Sequence, residues 1–452
     1  MARRFARAAA LVLALLGAGC ATTATTTTTP GAATLTWPDG DLPAASREVL
    51  PNGFRLIIQD HRASDIVAVY MWVGTGVRLE EPDGLGYAHF QEHMLFKGTD
   101  RFGPGHIDRA TEGVGGRNNA VTSFDYTNYY IIVPSDQTNT AIELLAEMAF
   151  RSKFDPEEIK REREVIFEEA RIEADNPRTA IVRQLYGLVF GDNPYGRPVL
   201  GTPATMNAAT REKLLAFNRK YYTPENMSLV VVGPVDRAAV RATVMRAFGN
   251  VKPQGLAPAP PAAPKPLAQK VSRDVERPEQ QAYLALGWQT PRADDPESFA
   301  VDLLTNVLAA TDSSRLARKL RDEERIVSGI NMTYAALAGG GLVSLRCDLE
   351  AGDLAKVEAR ILEEIRRLQE EGITEQERTL AITRAESDHA FQNETSEGLA
   401  YALGLAETTW KVEEELRYLN SVRAVTREQI RDAARKYFST TTYARIAFLP
   451  KK

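Results

Sequence analysis

The 452-residue sequence predicts an α+β fold of two duplicated α/β-sandwich domains, each a sheet packed with helices. The segment 252–268 carries six prolines, and because proline supports neither helices nor sheet ladders it is predicted to be a linker between two halves. Strand-like and helical segments follow one another in similar order on both sides of this linker, which indicates duplication of one unit. Hydrophobic residues make up 44% and charged residues 25%, a composition typical of globular proteins.

The individual elements follow from periodicity. In the first half, β-branched and aromatic runs predict strands at 54–58, 66–73 and 128–133. Amphipathic spacing predicts helices there at 86–97 and 156–174. The second half repeats the order with a strand at 281–288 and a helix at 298–310. We therefore expect an N-terminal domain at 42–251 and a homologous C-terminal domain at 269–452. The helix of the C-terminal domain offers Asp302 and Asn306 but no histidine, so no metal site is expected there.

The N-terminal end resembles a bacterial lipoprotein signal. Three arginines precede a short apolar run at 8–16, and small residues then lead to Cys20. That run is too short to span a bilayer, so residues 1–20 are predicted to be a cleaved export signal whose cysteine is lipidated. Ordinary secretory cleavage is the alternative. Residues 21–41 are rich in Thr and Ala, which predicts a flexible tether.

This N-terminal segment sets the expected location. A lipidated Cys20 predicts a periplasmic protein, and Ala21 in the next position favours the outer membrane over retention at the inner one. No later run of eighteen apolar residues occurs, so the lipid is the only membrane attachment expected. Cys347 is the one other cysteine, so no internal disulfide is expected. The net charge of −5 argues against nucleic-acid binding.

Residues 89–93, His-Phe-Gln-Glu-His, carry the strongest chemical signal in the chain. On a helix, positions i and i+4 share one face, so His89 and His93 can bind one metal ion. Glu92 shares that face and is close enough to take a proton from a metal-bound water. A catalytic zinc typically has three protein ligands and one open position, so a third ligand must come from elsewhere.

The helix expected at 156–174 supplies that ligand. A stripe of isoleucines, ending at Ile172, runs along it, and Glu162 and Glu169 lie in phase with the stripe. Carboxylates on a buried face need a partner, because an unpaired buried charge is costly. Glu169 is therefore predicted as the third metal ligand, and Glu162 as a carboxylate that orients or neutralises the site.

These motifs resemble those of the insulinase/pitrilysin family of zinc peptidases, the inverzincins. The segment 86–99, GYAHFQEHMLFKGT, is similar to the helix signature of the family, and 162–169, EREVIFEE, is similar to its second signature. His93 and Glu169 are separated by 76 positions, as in the mitochondrial processing peptidases of that family. The segment 119–122, which follows two glycines, resembles the family's substrate strand.

The resemblance implies a two-domain half-clamshell and a zinc-dependent endopeptidase acting on peptides or unfolded polypeptides. Zn²⁺ would polarise the scissile carbonyl and a water molecule, with Glu92 as general base. The substrate would add as an extra strand along Asn119 and Ala120, which favours extended chains. The motif alone is also compatible with a zinc hydrolase that acts on a non-peptide amide. A non-catalytic structural or substrate-presenting subunit is a further alternative, against which the intact ligand set argues.

The second half departs from the family pattern. The family uses an arginine, followed seven residues later by a tyrosine, to hold the substrate and the oxyanion. Here Arg321 is present, but Ser328 takes the tyrosine's place, and Tyr334 comes too late in the chain to replace it. Either a second related subunit supplies its own Arg/Tyr pair, which we favour, or the chain acts alone or as a homodimer with a weakened donor. Three other histidines are predicted to be surface residues: His61, His106 and His389.

Overall fold

The computed structural model describes residues 32–38, 42–256 and 261–451. The predicted export signal, with its lipidation at Cys20, lies outside these residues, as do most of the tether and the middle of the linker. Within the described ranges, no helix combines the length and the apolar character that crossing a membrane requires.

Two mixed sheets form the centre of the described molecule. The strands of the first sheet are β1 (Ala32–Leu35), β2 (Ala45–Val49), β3 (Arg55–Asp60), β4 (Ile66–Val73), β5 (Arg117–Thr122), β6 (Thr127–Pro134) and β7 (Met227–Gly233). Those of the second are β8 (Val271–Arg277), β9 (Ala282–Thr290), β10 (Gly329–Ala335), β11 (Gly341–Leu349) and β12 (Ala444–Pro450). The strand orders are β1-β2-β3-β7-β4-β6-β5 and β10-β11-β9-β12-β8.

The two sheets share one topology, which confirms the predicted duplication and the α+β class. Strand β3 is parallel to β7, and β4, β6 and β5 then follow with antiparallel pairing. In the second sheet β8 is parallel to β12, and β9, β11 and β10 follow in the same way. Strands β5 and β10 therefore correspond, and each lies at a sheet edge. Strands β1 and β2 extend the first sheet beyond the shared unit.

Helices connect and cover these strands. Those of the first half are α1 (Tyr87–Met94), α2 (His106–Glu112), α3 (Thr138–Arg151), α4 (Pro156–Asp175), α5 (Pro177–Phe190), α6 (Pro203–Asn207), α7 (Arg211–Tyr221) and α8 (Arg237–Ala247). Those of the second half are α9 (Ser298–Leu308), α10 (Leu354–Glu371), α11 (Glu375–Asn393), α12 (Ser396–Thr409), α13 (Val412–Glu415), α14 (Tyr418–Ala424) and α15 (Arg427–Tyr437). Short helical turns occupy Val77–Leu79, Ser135–Gln137, Pro194–Gly196, Pro224–Asn226, Ala317–Glu323 and Ala351–Asp353.

Each half sends one helix across to the sheet of the other. Leu403 of α12 packs in one cluster with Trp72 of the first sheet. Leu185 of α5 packs with Ala285 of the second sheet. The approach of α12 is so close that a Cβ on Gly404 would overlap the indole Nε1 of Trp72. The two sheets belong to separate halves of the sequence, but α5 and α12 interlock the halves.

The opposite face of the first sheet carries the largest core of the first half. Phe90 of α1, Leu145 of α3, Ile166 of α4 and Phe217 of α7 join one buried cluster with strand residues such as Tyr129. Burial of such side chains contributes roughly 1.5–3 kcal/mol each and fixes the helices against the sheet. The candidate site lies where α1 and α4 meet on this face.

Candidate metal centre

Helix α1 carries the histidine pair, and burial sets its orientation. Phe90 and Met94 are fully buried in the core. Because the helix places these side chains against the sheet, His89, Glu92 and His93 come to the other side, where they are half-buried. The helix predicted at 86–97 is therefore present, and its two histidines share one face.

Glu80 holds the N-terminal end of α1. Its carboxylate accepts hydrogen bonds from the backbone N–H groups of Gly86 and Ala88, each at 2.8 Å. The first N–H groups of a helix have no partner within the helix, and a carboxylate there also complements the helix dipole. Gly86 has φ of 88°, and a Cβ on it would lie 2.7 Å from the Cα of Gly201. The start of α1 is thereby fixed.

Helix α4 brings two carboxylates to α1. Asp155 caps it by accepting a hydrogen bond from the Glu157 N–H at 2.9 Å. Ile166 is buried and Glu162 is only 5% exposed. Ile172 is 61% exposed, so the predicted apolar stripe is wrong at its end. Six residues beyond Ile166 correspond to about 120° around a helix, which takes Ile172 off the buried face.

His89, His93 and Glu169 form the one group of potential metal-ligating side chains detected in the described residues. One ligand atom from each lies within 4.8 Å of the others. Glu169 Oε2 is 3.7 Å from Nε2 of His89 and 3.4 Å from Nε2 of His93. Two imidazole nitrogens and one carboxylate oxygen are a donor set that zinc binds with a fourth position left for water or substrate. The residues present therefore fit a catalytic zinc.

Glu162 connects His93 to Lys97. Its Oε2 accepts a hydrogen bond from His93 Nδ1 at 3.0 Å, and its Oε1 is 2.9 Å from Lys97 Nζ. The bond reaches the ring nitrogen of His93 that faces away from Glu169, so it fixes both the tautomer and the ring orientation. The sequence predicts a carboxylate that orients or neutralises the site at this position. His89 Nδ1, in contrast, is buried and has no hydrogen-bond partner in the part of the chain described.

The protein groups of this cluster perturb one another's protonation. Burial, followed by the proximity of His93, lowers the pKa of His89 to about 4. Burial also opposes protonation of His93, but hydrogen bonds to Glu162 and Glu169 outweigh it and raise the pKa to about 9. The hydrogen bond to His93 lowers the pKa of Glu169. The two carboxylates thus favour a positive charge at this position, which is the property a cation site requires.

Glu92 faces the edge strand β5. Its Oε2 accepts a hydrogen bond from Thr122 Oγ1 at 2.5 Å. Burial raises the pKa of the Glu92 carboxyl, and the bond from Thr122 opposes that shift. Asn119 and Ala120, predicted to hold substrate, lie on the same strand, with Asn119 exposed and Ala120 buried. Among the described strands, β5 pairs with β6 alone, so its outer edge is open.

Arg321 and Ser328 are engaged within the second half. The Arg321 guanidinium forms ion pairs with Asp312 and Asp322. Ser328 Oγ donates to the Asp348 carbonyl at 3.2 Å. The partners of both side chains therefore belong to the second half, at the position where the sequence departs from the family pattern.

The second half contains a counterpart of α1 without its chemistry. Helix α9 follows β9 as α1 follows β4, and Asp302 and Asn306 are its half-buried residues at i and i+4. The described residues of this half include no group of metal ligands. Tyr334 is 8% exposed and belongs to the core of this half, so it does not stand in for the missing tyrosine.

The prediction that the other three histidines lie at the surface is wrong for one of them. His61 is 7% exposed, and its Nδ1 lies 3.3 Å from Ser396 Oγ, so the surface prediction is wrong for it. The physical reason is that β3 ends against the start of α12, a contact between the two halves that local sequence does not reveal. His106 stacks on Phe102, and both it and His389 are half-buried.

Three residues that support the site are not predicted from the sequence: Glu80, Lys97 and Thr122. Lys97 and Thr122 lie inside the motif segments 86–99 and 119–122, so the sequence shows their residue types. What periodicity cannot show is that they face Glu162 and Glu92 from other elements. Glu80 could have been found as an acidic residue shortly before a helix that begins without a Ser, Thr, Asp or Asn cap.

Two family models match the chain. The model described as Insulinase (Peptidase family M16) matches residues 55–203, a range that contains α1, β5 and α4. The model described as Peptidase M16 inactive domain matches residues 208–384. Together they cover most of both sheets.

Individual relatives show the same similarity. An uncharacterized zinc protease of Mycobacterium bovis is 30% identical over 406 residues, which is 88% of this chain and 91% of that protein. The uncharacterized zinc protease YmxG of Bacillus subtilis is 29% identical over 399 residues, with 88% and 96% covered. A solved protease from Helicobacter pylori has a TM-score of 0.86 at 23% identity, covering 90% of this chain and 100% of that one, a likeness of fold.

Proposed function

Because the chain belongs to the insulinase family of peptidases, family M16, we propose that it is a zinc-dependent endopeptidase that hydrolyses peptides or unfolded polypeptides. Its cofactor is Zn²⁺, in keeping with relatives that are named zinc proteases. One observation carries the proposal. The ligand atoms of His89, His93 and Glu169 lie within 4.8 Å of one another, and Glu92 is on the same face of α1.

Each side chain has a role in this proposal. His89, His93 and Glu169 hold the zinc, and Glu162 orients His93 through its Nδ1. When bound, zinc supplies a Lewis acid that polarises a carbonyl group and makes water more acidic. Glu92 accepts the proton of the attacking water and later gives it to the leaving amine. Burial raises the Glu92 pKa, which makes the protonated form needed for the second transfer easier to reach.

The open edge of β5 supports a peptide as the substrate. A peptide that adds there forms backbone hydrogen bonds along Asn119 and Ala120, next to Glu92. Such pairing demands an extended backbone, so it selects unfolded segments over folded ones and over small amides without a peptide chain. We therefore place the substrate on this edge.

The test is hydrolysis of a quenched-fluorescent peptide library by the purified full-length protein, with bound zinc measured on the same sample. We expect cleavage that a chelator abolishes and added zinc restores. Glu92→Gln should retain zinc and lose cleavage, because it keeps the shape of the side chain and removes the base. Glu164→Gln, at an exposed position of α4, is the matched control. Cleavage by the Glu92 variant would contradict the proposed chemistry.

We also propose that this chain is the zinc-bearing subunit of a pair, with a related chain supplying an Arg/Tyr pair. The support is that Ser328 replaces the tyrosine and that Arg321 is held by two neighbouring aspartates. Zinc-loaded protein alone should then cleave weakly, and Ser328→Tyr should not restore it, because the donors come from the partner. Activity that rises with the square of protein concentration would indicate a homodimer instead.

The N-terminal segment supports a further proposal, that the chain is exported and anchored to the outer membrane through Cys20. Metabolic labelling with a fatty acid, followed by separation of the membranes, tests it. We expect label on the wild-type protein in the outer-membrane fraction and none on Cys20→Ala. An exported wild-type protein without label would indicate ordinary secretory cleavage.

A further inference from the structure

One residue, Thr122, connects the edge strand to the general base. Thr122 is the last residue of β5, and its Oγ1 donates to Glu92 Oε2 at 2.5 Å. Within the described residues, no other side chain forms a hydrogen bond with Glu92. The backbone N–H of Thr122 also interacts with this carboxylate. Both groups that orient Glu92 therefore belong to one residue of another element of the fold, and the hydroxyl forms the closer bond.

The face of β5 that meets α1 is set by strand alternation. Ala120 and Thr122 are two residues apart and share one face, because side chains alternate along a strand. Ala120 is buried in the same cluster as Phe90 of α1. Thr122 thus points toward α1, while Asn119 and Val121 on the other face are exposed. The contact between Thr122 and Glu92 follows from the register of the strand.

A glutamate on a helix has three rotatable side-chain bonds, so it needs an anchor if it is to hold one orientation. A carboxylate offers about four acceptor positions, so the hydroxyl and the backbone N–H of Thr122 can orient it and still leave lone pairs for a proton. The cross-strand neighbour of Thr122 in β6 is Thr127, whose hydroxyl donates to the Thr75 carbonyl at 2.9 Å. Thr122 and Thr127 are thus neighbours on adjacent strands, but only the hydroxyl of Thr122 forms a hydrogen bond with Glu92. Thr127 therefore offers a matched control.

We propose that Thr122 is a positioning residue for Glu92: its hydroxyl holds the carboxylate in the orientation for proton transfer and links that orientation to the strand that receives the peptide. A peptide paired along the open edge of β5 would immobilise the backbone of the strand. Thr122 would then be held in place, and its hydrogen bond would hold the Glu92 carboxylate in one orientation. Proton transfer is then most efficient when an extended substrate is in place. This inference rests on the proposed function of the site.

The test compares Thr122→Val, which keeps the β-branched shape and removes the hydroxyl, with Thr122→Ser, which keeps the hydroxyl. Both are made in the full-length zinc-loaded protein, with Thr127→Val as the matched control. We expect Thr122→Val to lower kcat by roughly ten- to hundred-fold with KM little changed, the effect of a misplaced catalytic group. Bound zinc should be unchanged. Thr122→Ser should recover most of the activity, and Thr127→Val should resemble the wild type.

Several results would overturn the inference. These are a kcat of Thr122→Val within about twofold of wild type, a change in KM alone, or a loss of zinc in this variant. In a Glu92→Gln background, Thr122→Val should cause no further loss of the residual rate, because Thr122 acts through Glu92. An additional loss in the double variant would also count against the inference.

A second measurement separates this inference from the function on which it rests. If the wild-type protein cleaves no peptide, the proposed function fails, and a crystal structure of zinc-loaded Thr122→Val decides the role of Thr122. We expect the Glu92 carboxylate to leave its wild-type position in that structure. An unchanged carboxylate would overturn the positioning role.

Discussion

Substitution of Glu162 by glutamine should weaken zinc binding without unfolding the protein. Glu162 is 5% exposed and accepts a hydrogen bond from His93 Nδ1 at 3.0 Å. Glutamine has nearly the same shape, so packing is kept, but the bond loses its charge. Charge-assisted hydrogen bonds are about twice as strong as neutral ones, so the loss is about 1–1.5 kcal/mol. A difference of about 1.4 kcal/mol corresponds to a tenfold change in Kd.

A second estimate gives the same range. Loss of a group that orients a metal-binding histidine typically costs about 10–100-fold in metal affinity. We therefore expect the zinc Kd of Glu162→Gln to rise by about tenfold, and that of Glu162→Ala to rise further, because alanine removes the acceptor altogether. Lys97→Met should have a smaller effect, since it leaves the bond between Glu162 and His93 in place.

The assay is competition for zinc with a fluorescent chelator at fixed pH, with unfolding of the metal-free proteins followed in parallel. Glu164→Gln is the control for loss of one negative charge on the exposed side of α4. A zinc Kd of Glu162→Gln within twofold of the control would refute the reasoning, because the orienting bond would then contribute nothing. A metal-free variant that is already unfolded would refute it as well, since the affinity loss would have a different cause.

Three further predictions concern the free energy of unfolding, measured by urea titration. Gly404→Ala places a methyl group against the Trp72 indole and should cost about 3 kcal/mol, so an unchanged midpoint would contradict the packing of α12. Asp125 is 5% exposed and accepts hydrogen bonds from the side chains of Arg78 and Tyr195 and from the backbone N–H of Ala338, which belongs to the second half. Asp125→Asn should therefore lower the free energy of unfolding by about 2–4 kcal/mol, and a neutral effect would contradict this contact. Burial would raise the Glu377 pKa, but bonds from Arg315 outweigh it and lower the pKa to about 2. The folded pKa is below the unfolded one, so this stabilisation is present above about pH 4.5 and is lost as the pH falls toward 2. Glu377→Gln should therefore be less stable than wild type by about 1–3 kcal/mol at pH 7. This difference should shrink toward pH 2 and vanish only below it, whereas a constant difference would contradict the ion pair.

Much of the fold follows from local sequence. The strand predicted at 66–73 is β4, and the helix predicted at 298–310 begins at the same residue as α9. These elements have strong periodicity and end at polar or turn-forming residues, so local physics decides them. The histidine pair is equally local, because its geometry depends only on helical spacing. That Glu169 lies close to these histidines could be predicted only from two signals. One is its position in phase with the buried residues of α4, and the other is the resemblance of both motifs to those of the family.

Contacts between distant elements lie beyond such reasoning. His61 belongs to a stretch that looks like a turn, and its burial comes from α12, more than three hundred residues later in the chain. Ile172 has the residue type of the apolar stripe, but the helix rotates about 100° per residue and turns its side chain outward. The contact of Thr122 with Glu92 depends on the register of β5 against β6, which no single segment determines.

The duplicated half shows that fold and chemistry can separate. Helix α9 keeps the place of α1, and Asp302 and Asn306 keep the spacing of His89 and His93. Aspartate and asparagine at those positions can hydrogen-bond, but the described residues offer no matching third group, so they do not assemble a zinc set there. What the second half does supply is α12, which packs on the back of the sheet whose front carries the site. A sheet open to water on that face would expose Trp72 and its neighbours, so the second half completes the burial of the sheet that carries the candidate site, although none of the candidate ligands comes from it.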